Sequence, residues 1–175
     1  MTADADGSGT RIDQLRSTDE PALRCWIADY LFSQLTQWGR WAMPTWSASD
    51  INDHIAGNNL IEKEWREILE ASADSARFVS VARLGVDAVG VVYAESRRDR
   101  YLCAKLGVLS WIYVAPDFRR GRIGCALLAS AKRWMVSSSL TMAEVFVTAS
   151  NPAAIALYSR AGFDSVDNRM LLRVS

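Results

Sequence analysis

The residues best suited to chemistry lie in residues 109–128, where an apolar run is followed by a turn rich in glycine and arginine and then by a helical pattern. Successive backbone N–H groups at such a turn converge with the positive end of the helix dipole and can bind a pyrophosphate. Gly121 and Gly124 would let a phosphate approach the backbone, and three arginines would add charge-assisted donors. These are Arg119, Arg120 and Arg122. An ordinary strand-to-helix turn with solvated arginines is the alternative, and the residues alone leave both open.

A second informative stretch covers residues 147–163. Asn151 followed by Pro152 is typical of a helix cap and a first helical position. Tyr158 lies on the helix that would follow, where it could be a core aromatic. The residue pattern therefore predicts a second strand-to-helix turn.

Together the two stretches resemble the signature motifs of the GNAT superfamily of acetyltransferases. The first is similar to a strand ending in apolar-x-Val-x-Pro and followed by Arg/Gln-x-x-Gly-x-Gly/Ala, with Arg119 in the first position of the turn and Gly124 in the last. Arg122 replaces the middle glycine, and Gly121 lies one residue earlier. A positive φ at Arg122 would cost about 1–2 kcal/mol. We therefore expect either an ordinary dihedral there or a Gly121 that takes up the tight geometry.

The second stretch resembles the family pattern Asn-x-x-Ala-x-x-Leu-Tyr-x-x-x-Gly-Phe. The resemblance implies acetyl-CoA as the acyl donor and Tyr158 as the acid that protonates the departing thiolate. It also implies that main-chain groups of the fourth strand hold the pantetheine arm. The cofactor-binding residues implied in this way are Ile112, Tyr113, Val114, Arg119, Arg120, Gly121, Arg122, Ile123, Gly124, Cys125, Asn151 and Tyr158.

The reaction implied by the resemblance is acetyl transfer to a primary amine by direct attack in a ternary complex. An acyl-CoA-binding sensor or scaffold without turnover is the alternative, since a fold does not fix a function. Many relatives use a glutamate on the fourth strand as the base, but this strand has no carboxylate. Substitutes are Glu95, Asp99, Glu144 and His54, each also explicable as a solvated or capping residue. Deprotonation through ordered water is a further alternative.

Four large apolar residues, Trp38, Trp41, Met43 and Trp46, fall within nine positions. We expect an aromatic loop over residues 39–46 that shapes the acceptor pocket, with Trp41 and Trp46 binding the acceptor. The alternative is that the tryptophans pack the helices. An acceptor with an apolar or aromatic body and a free amine is the hypothesis, whether a small amine, an antibiotic, an amino acid or a protein.

Periodicity predicts the elements that position these motifs. A weak strand over residues 10–16 precedes a helix over 22–38, ended by Gly39, and a helical stretch over 47–69 interrupted at 57–59. Three strands, 77–84, 88–95 and 106–114, read as an antiparallel meander. A helix over 122–137, a strand over 142–148, a helix over 151–161 and two short strands within 163–174 follow. The order predicts an α/β (α+β) fold, a mixed, mostly antiparallel sheet of about six or seven strands with helices on both faces.

Composition sets the remaining expectations. The 175 residues include 20 basic and 20 acidic side chains, which argues against nucleic-acid and anionic membrane partners. One histidine and three dispersed cysteines (Cys25, Cys103 and Cys125), interpreted as reduced structural thiols, predict no metal site. We expect a disordered tail over residues 1–9, one cytoplasmic domain over 10–175, acetyl-CoA and an amine as partners, and either a monomer or a homodimer.

Overall fold

The computed structural model of the chain describes residues 9–167, 169, 170 and 172. These residues form two compact units: 9–19 with 68–164, called the sheet unit, and 20–67 with 165–172, called the helical unit. Of the tail expected over residues 1–9, residues 1–8 lie outside the described part. A single domain over residues 10–175 stays a prediction.

The sheet unit is built on five strands in sequence order, β1 to β5. All neighbours are antiparallel except β4 and β5, which run parallel. The strands are β1 (Thr10–Asp13), β2 (Arg77–Leu84), β3 (Asp87–Arg98), β4 (Lys105–Val114) and β5 (Ala143–Val145). The prediction of a mixed, mostly antiparallel sheet with a β2–β3–β4 meander is confirmed.

The predicted number of strands is too high, because the described residues beyond Phe163 form no strand. Val166, Met170 and Leu172 there are exposed. The polar residues Asp164, Ser165 and Asp167 leave too few apolar side chains in this stretch to bury a strand. The other residues of the predicted range lie outside the described part.

Helix α4 (Ile123–Ser137) packs on one face of the sheet, against β1 to β4. Its buried residues Leu127, Ala131 and Met135 form a core cluster with strand residues such as Val92 and Ala94. Two glycines permit this close packing: a Cβ at Gly90 would lie 2.8 Å from the Tyr113 carbonyl oxygen, and one at Gly107 would lie 2.7 Å from the Met135 sulfur. A shorter helix, α5 (Pro152–Arg160), follows β5.

The helical unit contains α1 (Glu20–Ala42), α2 (Ala48–Gly57) and most of α3 (Leu60–Ser72). The predicted break at residues 57–59 is confirmed. The predicted end of the first helix at Gly39 is wrong, because the Met43 N–H bonds to the Gly39 carbonyl at 2.9 Å and the helix continues to Ala42. A glycine inside a helix costs only about 1 kcal/mol, which the remaining turns outweigh. None of the described helices combines the length and apolar character needed to cross a membrane.

A buried ion pair fixes the start of the chain to β2. Asp19 accepts hydrogen bonds from both Nη atoms of Arg83, at 2.7 and 2.5 Å. Both side chains are at least 97% buried, with 3% and 1% of their surface exposed. Burial alone would raise the pKa of Asp19, but the Arg83 hydrogen bonds and the Arg16 N–H outweigh it and lower that pKa. Since the lowered pKa belongs to the folded state, this stabilisation is present above the ordinary aspartate pKa and is lost as the pH falls through the lowered value.

Candidate active site

The edge of β4 that faces β5 is open over most of its length. β4 pairs with β3 from Lys105 to Val114, but with β5 only from Gly107 to Leu109. Just after Leu109, the last residue that pairs with β5, the register between β3 and β4 shifts. Ser110 therefore has no residue opposite it on β3. Such a bulge bends a strand and ends its pairing. From Ser110 onward, no described strand pairs with β4 on this side.

The register shows which main-chain groups face the open edge. The Ala115 N–H bonds to the Val89 carbonyl at 3.0 Å, so this pair is a hydrogen-bonded one. Hydrogen-bonded and non-hydrogen-bonded pairs alternate along an antiparallel ladder. The main-chain groups of Tyr113 therefore point to β3, whereas those of Ile112 and Val114 point to the open edge. Of the three positions predicted to hold a pantetheine arm, two have this orientation.

Arg119 holds the end of β4 in place. Its Nε donates a hydrogen bond to the Val114 carbonyl at 2.9 Å, and its guanidinium lies 5.5 Å from the ring centroid of Tyr113. The side chain therefore folds back over the strand instead of extending from the turn.

The turn between β4 and α4 contains two strained arginines. Arg120 and Arg122 have φ of 66° and 61°, whereas Gly121 between them is not left-handed. Our expectation for Arg122 and Gly121 was therefore wrong, and the turn bears about 1–2 kcal/mol of strain at each arginine. A left-handed residue followed by a helical one, here Arg122 and Ile123, turns successive N–H groups to one side, forming an anion-binding nest. Strain of this kind is characteristic of ligand sites.

Helix α4 begins without a side-chain cap. Among the described residues no side chain bonds to its first N–H groups, and the first intrahelical bond runs from the Ala126 N–H to the Arg122 carbonyl, at 3.0 Å. The N–H groups of Ile123, Gly124 and Cys125 precede that bond and have no helical partner. The three arginines beside them, Arg119, Arg120 and Arg122, are exposed. This arrangement offers a concentrated set of donors to an anion.

Gly124 connects this turn to the other predicted elements. A Cβ built on it would lie 3.6 Å from Leu157 of α5 and 3.8 Å from Val114 of β4, both ordinary contact distances. The structure thus brings together the end of β4, the start of α4 and the middle of α5, as the two motifs predicted. Ile123 anchors the turn through a buried side chain.

The start of α5 is closed by its own side chain. Asn151 accepts a hydrogen bond from the Ala154 N–H at 3.1 Å, and Pro152 begins the helix. The capping role predicted for Asn151 is confirmed. Tyr158, further along α5, has 7% of its surface exposed and packs edge-on against Phe163, with ring centroids 5.8 Å apart. Its packing role is therefore established, and its role as an acid stays a prediction.

The Acetyltransferase (GNAT) family model matches residues 32–163, three quarters of the chain. The chain belongs to this family of acetyltransferases. The predicted family resemblance is confirmed, and it extends across both motifs of the site.

Solved structures share the fold. AAC(6')-Iy in complex with the bisubstrate analog CoA-S-monomethyl-acetylneamine is 17% identical, with a TM-score of 0.64 over 95% of this chain and 98% of the other. PaiA N-acetyltransferase from Thermoplasma acidophilum, in complex with coenzyme A, is 19% identical, with a TM-score of 0.68 over 91% and 92%. A transcriptional regulator from Bacillus halodurans C-125 is 15% identical, with a TM-score of 0.67 over 94% and 99%. At these identities the likeness shows the fold alone. No curated protein matches the chain in sequence.

The four candidate bases of this acetyltransferase have different surroundings. Asp99 accepts hydrogen bonds from the N–H groups of Tyr101 and Leu102, at 2.9 and 2.7 Å, and so stabilises a turn. Glu144 forms an ion pair with Arg97. His54 lies in α2, with Nδ1 3.2 Å from the Asn58 amide nitrogen and its ring 4.8 Å from that of Trp46. Glu95 is half-buried and accepts a hydrogen bond from the Tyr93 hydroxyl at 3.1 Å.

The expected aromatic loop is shorter than predicted, because residues 39–42 belong to α1 and the connection to α2 covers residues 43–47. Trp46 in this connection is half-buried. Trp41 lies in the last turn of α1, and its side chain is outside the described part. Trp38 is covered by the guanidinium of Arg169, 4.5 Å from its ring centroid.

The three cysteines, Cys25, Cys103 and Cys125, are free and exposed. Their interpretation as structural thiols is wrong, because none of them packs in the core. Among the described residues no group of three histidine, cysteine or acidic side chains could hold a metal ion.

Proposed function

We propose that this acetyltransferase moves the acetyl group of acetyl-CoA to a primary amine, which attacks the thioester directly within a ternary complex. The observation that carries the proposal is the continuity between the open edge of β4 and the uncapped turn at the start of α4. An extended arm with amide groups fits the first, and a pyrophosphate fits the second.

The proposed roles of the residues are as follows. Main-chain groups of Ile112 and the N–H of Val114 would hold the pantetheine amides as an added strand, and the N–H groups of residues 123–125 would bind the pyrophosphate. Acetyl-CoA supplies an activated thioester. Tyr158 would donate its hydroxyl proton to the sulfur as the carbon–sulfur bond breaks.

Ligand-induced stabilisation tests the cofactor. Acetyl-CoA should raise the melting temperature, whereas NAD and ATP should not, because only a pantetheine arm can use β4 as well as the turn. An unchanged melting temperature at millimolar acetyl-CoA would contradict the cofactor assignment. CoA release in the presence of an amine library tests turnover. Stabilisation without turnover of any amine would favour the alternative function, an acyl-CoA-binding sensor or scaffold.

The acceptor we propose has an apolar or aromatic body and a free amine. One similar structure is that of an aminoglycoside N-acetyltransferase in complex with CoA, so aminoglycosides belong in the amine library. Trp41→Ala and Trp46→Ala should raise the acceptor KM and leave the acetyl-CoA KM unchanged, as expected when a contact to one substrate is lost. Equal losses for both substrates would assign these tryptophans to packing. A cytoplasmic location, the oligomeric state and the absence of nucleic-acid and membrane partners stay predictions.

A further inference from the structure

One face of the sheet carries a row of polar side chains. Val92 and Ala94 of β3 join the core cluster with α4, so the alternating residues Tyr93, Glu95 and Arg97 lie on the opposite face. Glu95 is paired with Val108 of β4, and Val108 is paired with Glu144 of β5. The two carboxylates therefore lie on the same face, on either side of Val108.

The two carboxylates have different partners. Glu144 is neutralised by the guanidinium of Arg97. Glu95 accepts a hydrogen bond from the uncharged hydroxyl of Tyr93. Arg77, the nearby cation from β2, is bonded through Nε to Asp74 at 2.8 Å. The pKa of Arg77 is raised, first by the Asp74 hydrogen bond and then by one with Tyr93.

The residues of the sheet unit that lie beside Glu95 on this face come from β2 to β5. They are Tyr93 and Arg97 of β3, Arg77 of β2, Val108 of β4 and Glu144 of β5. Because both arginines are paired with other carboxylates, the Glu95 side chain is available to bind a further cation. A carboxylate held by a neutral hydroxyl can accept both a hydrogen bond from an ammonium group and its proton.

Glu95 also lies close to the start of the open edge. Tyr93 is paired with Trp111, the residue directly after the bulge at Ser110. Glu95 is two residues further along β3, which places it about 7 Å along the strand from that pair. Tyr93 is buried, with 4% of its surface exposed, so packing fixes the position of the hydroxyl that donates the hydrogen bond to Glu95.

We propose that Glu95, oriented by Tyr93, is the catalytic residue that binds the acceptor ammonium group and takes its proton. This inference rests on the proposed function. The ammonium gives one proton to Glu95, which releases it to solvent. The neutral amine then forms the carbon–nitrogen bond as the carbon–sulfur bond breaks. Tyr158 protonates the sulfur, and the second N–H proton restores the Tyr158 hydroxyl.

Glu95→Gln tests the role of the carboxylate at nearly constant shape. We expect kcat at neutral pH to fall about 10²–10⁴-fold with an unchanged acetyl-CoA KM, because only proton removal is lost. The remaining rate should rise about tenfold per pH unit as the acceptor loses its proton spontaneously, whereas the wild-type rate should depend less on pH. Tyr93→Phe keeps the ring and should cause a smaller loss.

The matched control is Glu70→Gln, the same substitution at an exposed carboxylate of α3. Its rate should stay within about threefold of wild type, because surface substitutions away from a site have small effects. A Glu95→Gln enzyme with a wild-type rate and pH profile would overturn the assignment while leaving the proposed function intact. If that variant does not fold, Glu95→Asp decides, since a shortened carboxylate should lower the rate but retain the wild-type pH profile. Acetyl-CoA stabilisation of the wild type, measured in parallel, shows separately whether the cofactor assignment holds.

Discussion

Two strand-to-helix turns of the sheet unit begin their helices in opposite ways. At α5, the Asn151 side chain accepts a hydrogen bond from a first-turn N–H, and Pro152 occupies a position where no N–H is needed. At α4, none of the described side chains caps the helix, and Arg122 is left-handed. A side-chain cap contributes about 1 kcal/mol, and the left-handed arginine costs about 1–2 kcal/mol. The start of α4 is therefore the less stable of the two by construction, and its N–H groups are left for a ligand.

Under the proposed function, the α4 turn binds the cofactor and α5 carries the proton donor, Tyr158. Gly124 lies between the two elements, because a Cβ built on it would contact both Val114 of β4 and Leu157 of α5. Variants at the two turns should consequently affect different quantities. The largest expected change is in kcat, followed by cofactor affinity and then by stability.

The Tyr158→Phe variant should cause the largest change. We expect kcat to fall about 10²–10⁴-fold, with little change in acetyl-CoA affinity, because the ring still packs against Phe163 and only the proton donor is lost. Steady-state kinetics and calorimetric titration with acetyl-CoA measure the two quantities. Full activity across the pH range would make Tyr158 a core residue only, and α5 would then contribute nothing but packing.

Gly124→Val should weaken acetyl-CoA binding at least about tenfold, which corresponds to about 1.4 kcal/mol. The larger side chain would press on Val114 of β4 and Leu157 of α5 and so displace the turn whose N–H groups are proposed to bind the pyrophosphate. Gly124→Ala is the control, since its single methyl group meets Leu157 and Val114 at ordinary contact distances and should preserve the fold. Unchanged affinity in the valine variant would show that the phosphates bind elsewhere.

The Asn151→Ala variant should mainly affect stability. Loss of the cap should lower the free energy of unfolding by about 1 kcal/mol, or the melting temperature by about 2–4 °C. Asn151→Asp keeps a capping oxygen and should restore stability. Acetyl-CoA affinity in the alanine variant distinguishes the two roles implied for Asn151, because a pure cap leaves affinity unchanged. A marked loss of affinity would mean that the α5 turn also binds cofactor. The two turns would then differ in how their helices are capped, but not in whether they bind the ligand.

The sequence predicted regular elements best where a period of two is bounded by turn residues. β2 covers residues 77–84 in both prediction and structure, because its β-branched residues and the turn that begins at Gly85 are local signals, although residues 79–83 are buried on both faces of the sheet. The end of α1 was missed because helix continuation depends on packing, and glycine is only a weak breaker. The Asp19–Arg83 pair joins residues 64 positions apart, so no local pattern could indicate it.

The motifs of the site could be predicted from sequence, but the orientation of their groups could not. Whether Ile112 or Tyr113 faces the open edge depends on the β3–β4 register and on the bulge at Ser110, which no residue type marks. Likewise, Glu95 and Glu144 were equivalent as sequence candidates. Only the cross-strand pairing and the Arg97 ion pair separate them.

Arg122→Gly gives the smallest expected change and the most direct test of why the α4 turn is strained. Removing a left-handed arginine should relieve about 1–2 kcal/mol, but glycine adds unfolded-state freedom of about 0.5–1 kcal/mol, so the net gain should be about 1 kcal/mol or less. The melting temperature should then rise by about 2–4 °C at most. Acetyl-CoA affinity should change little, because the N–H groups that form the nest are retained. Arg122→Ala removes the same charge but keeps the strain, so it should lower stability relative to the glycine variant. An equal, large loss of affinity in both variants would show that the guanidinium, and not the backbone, binds the phosphates.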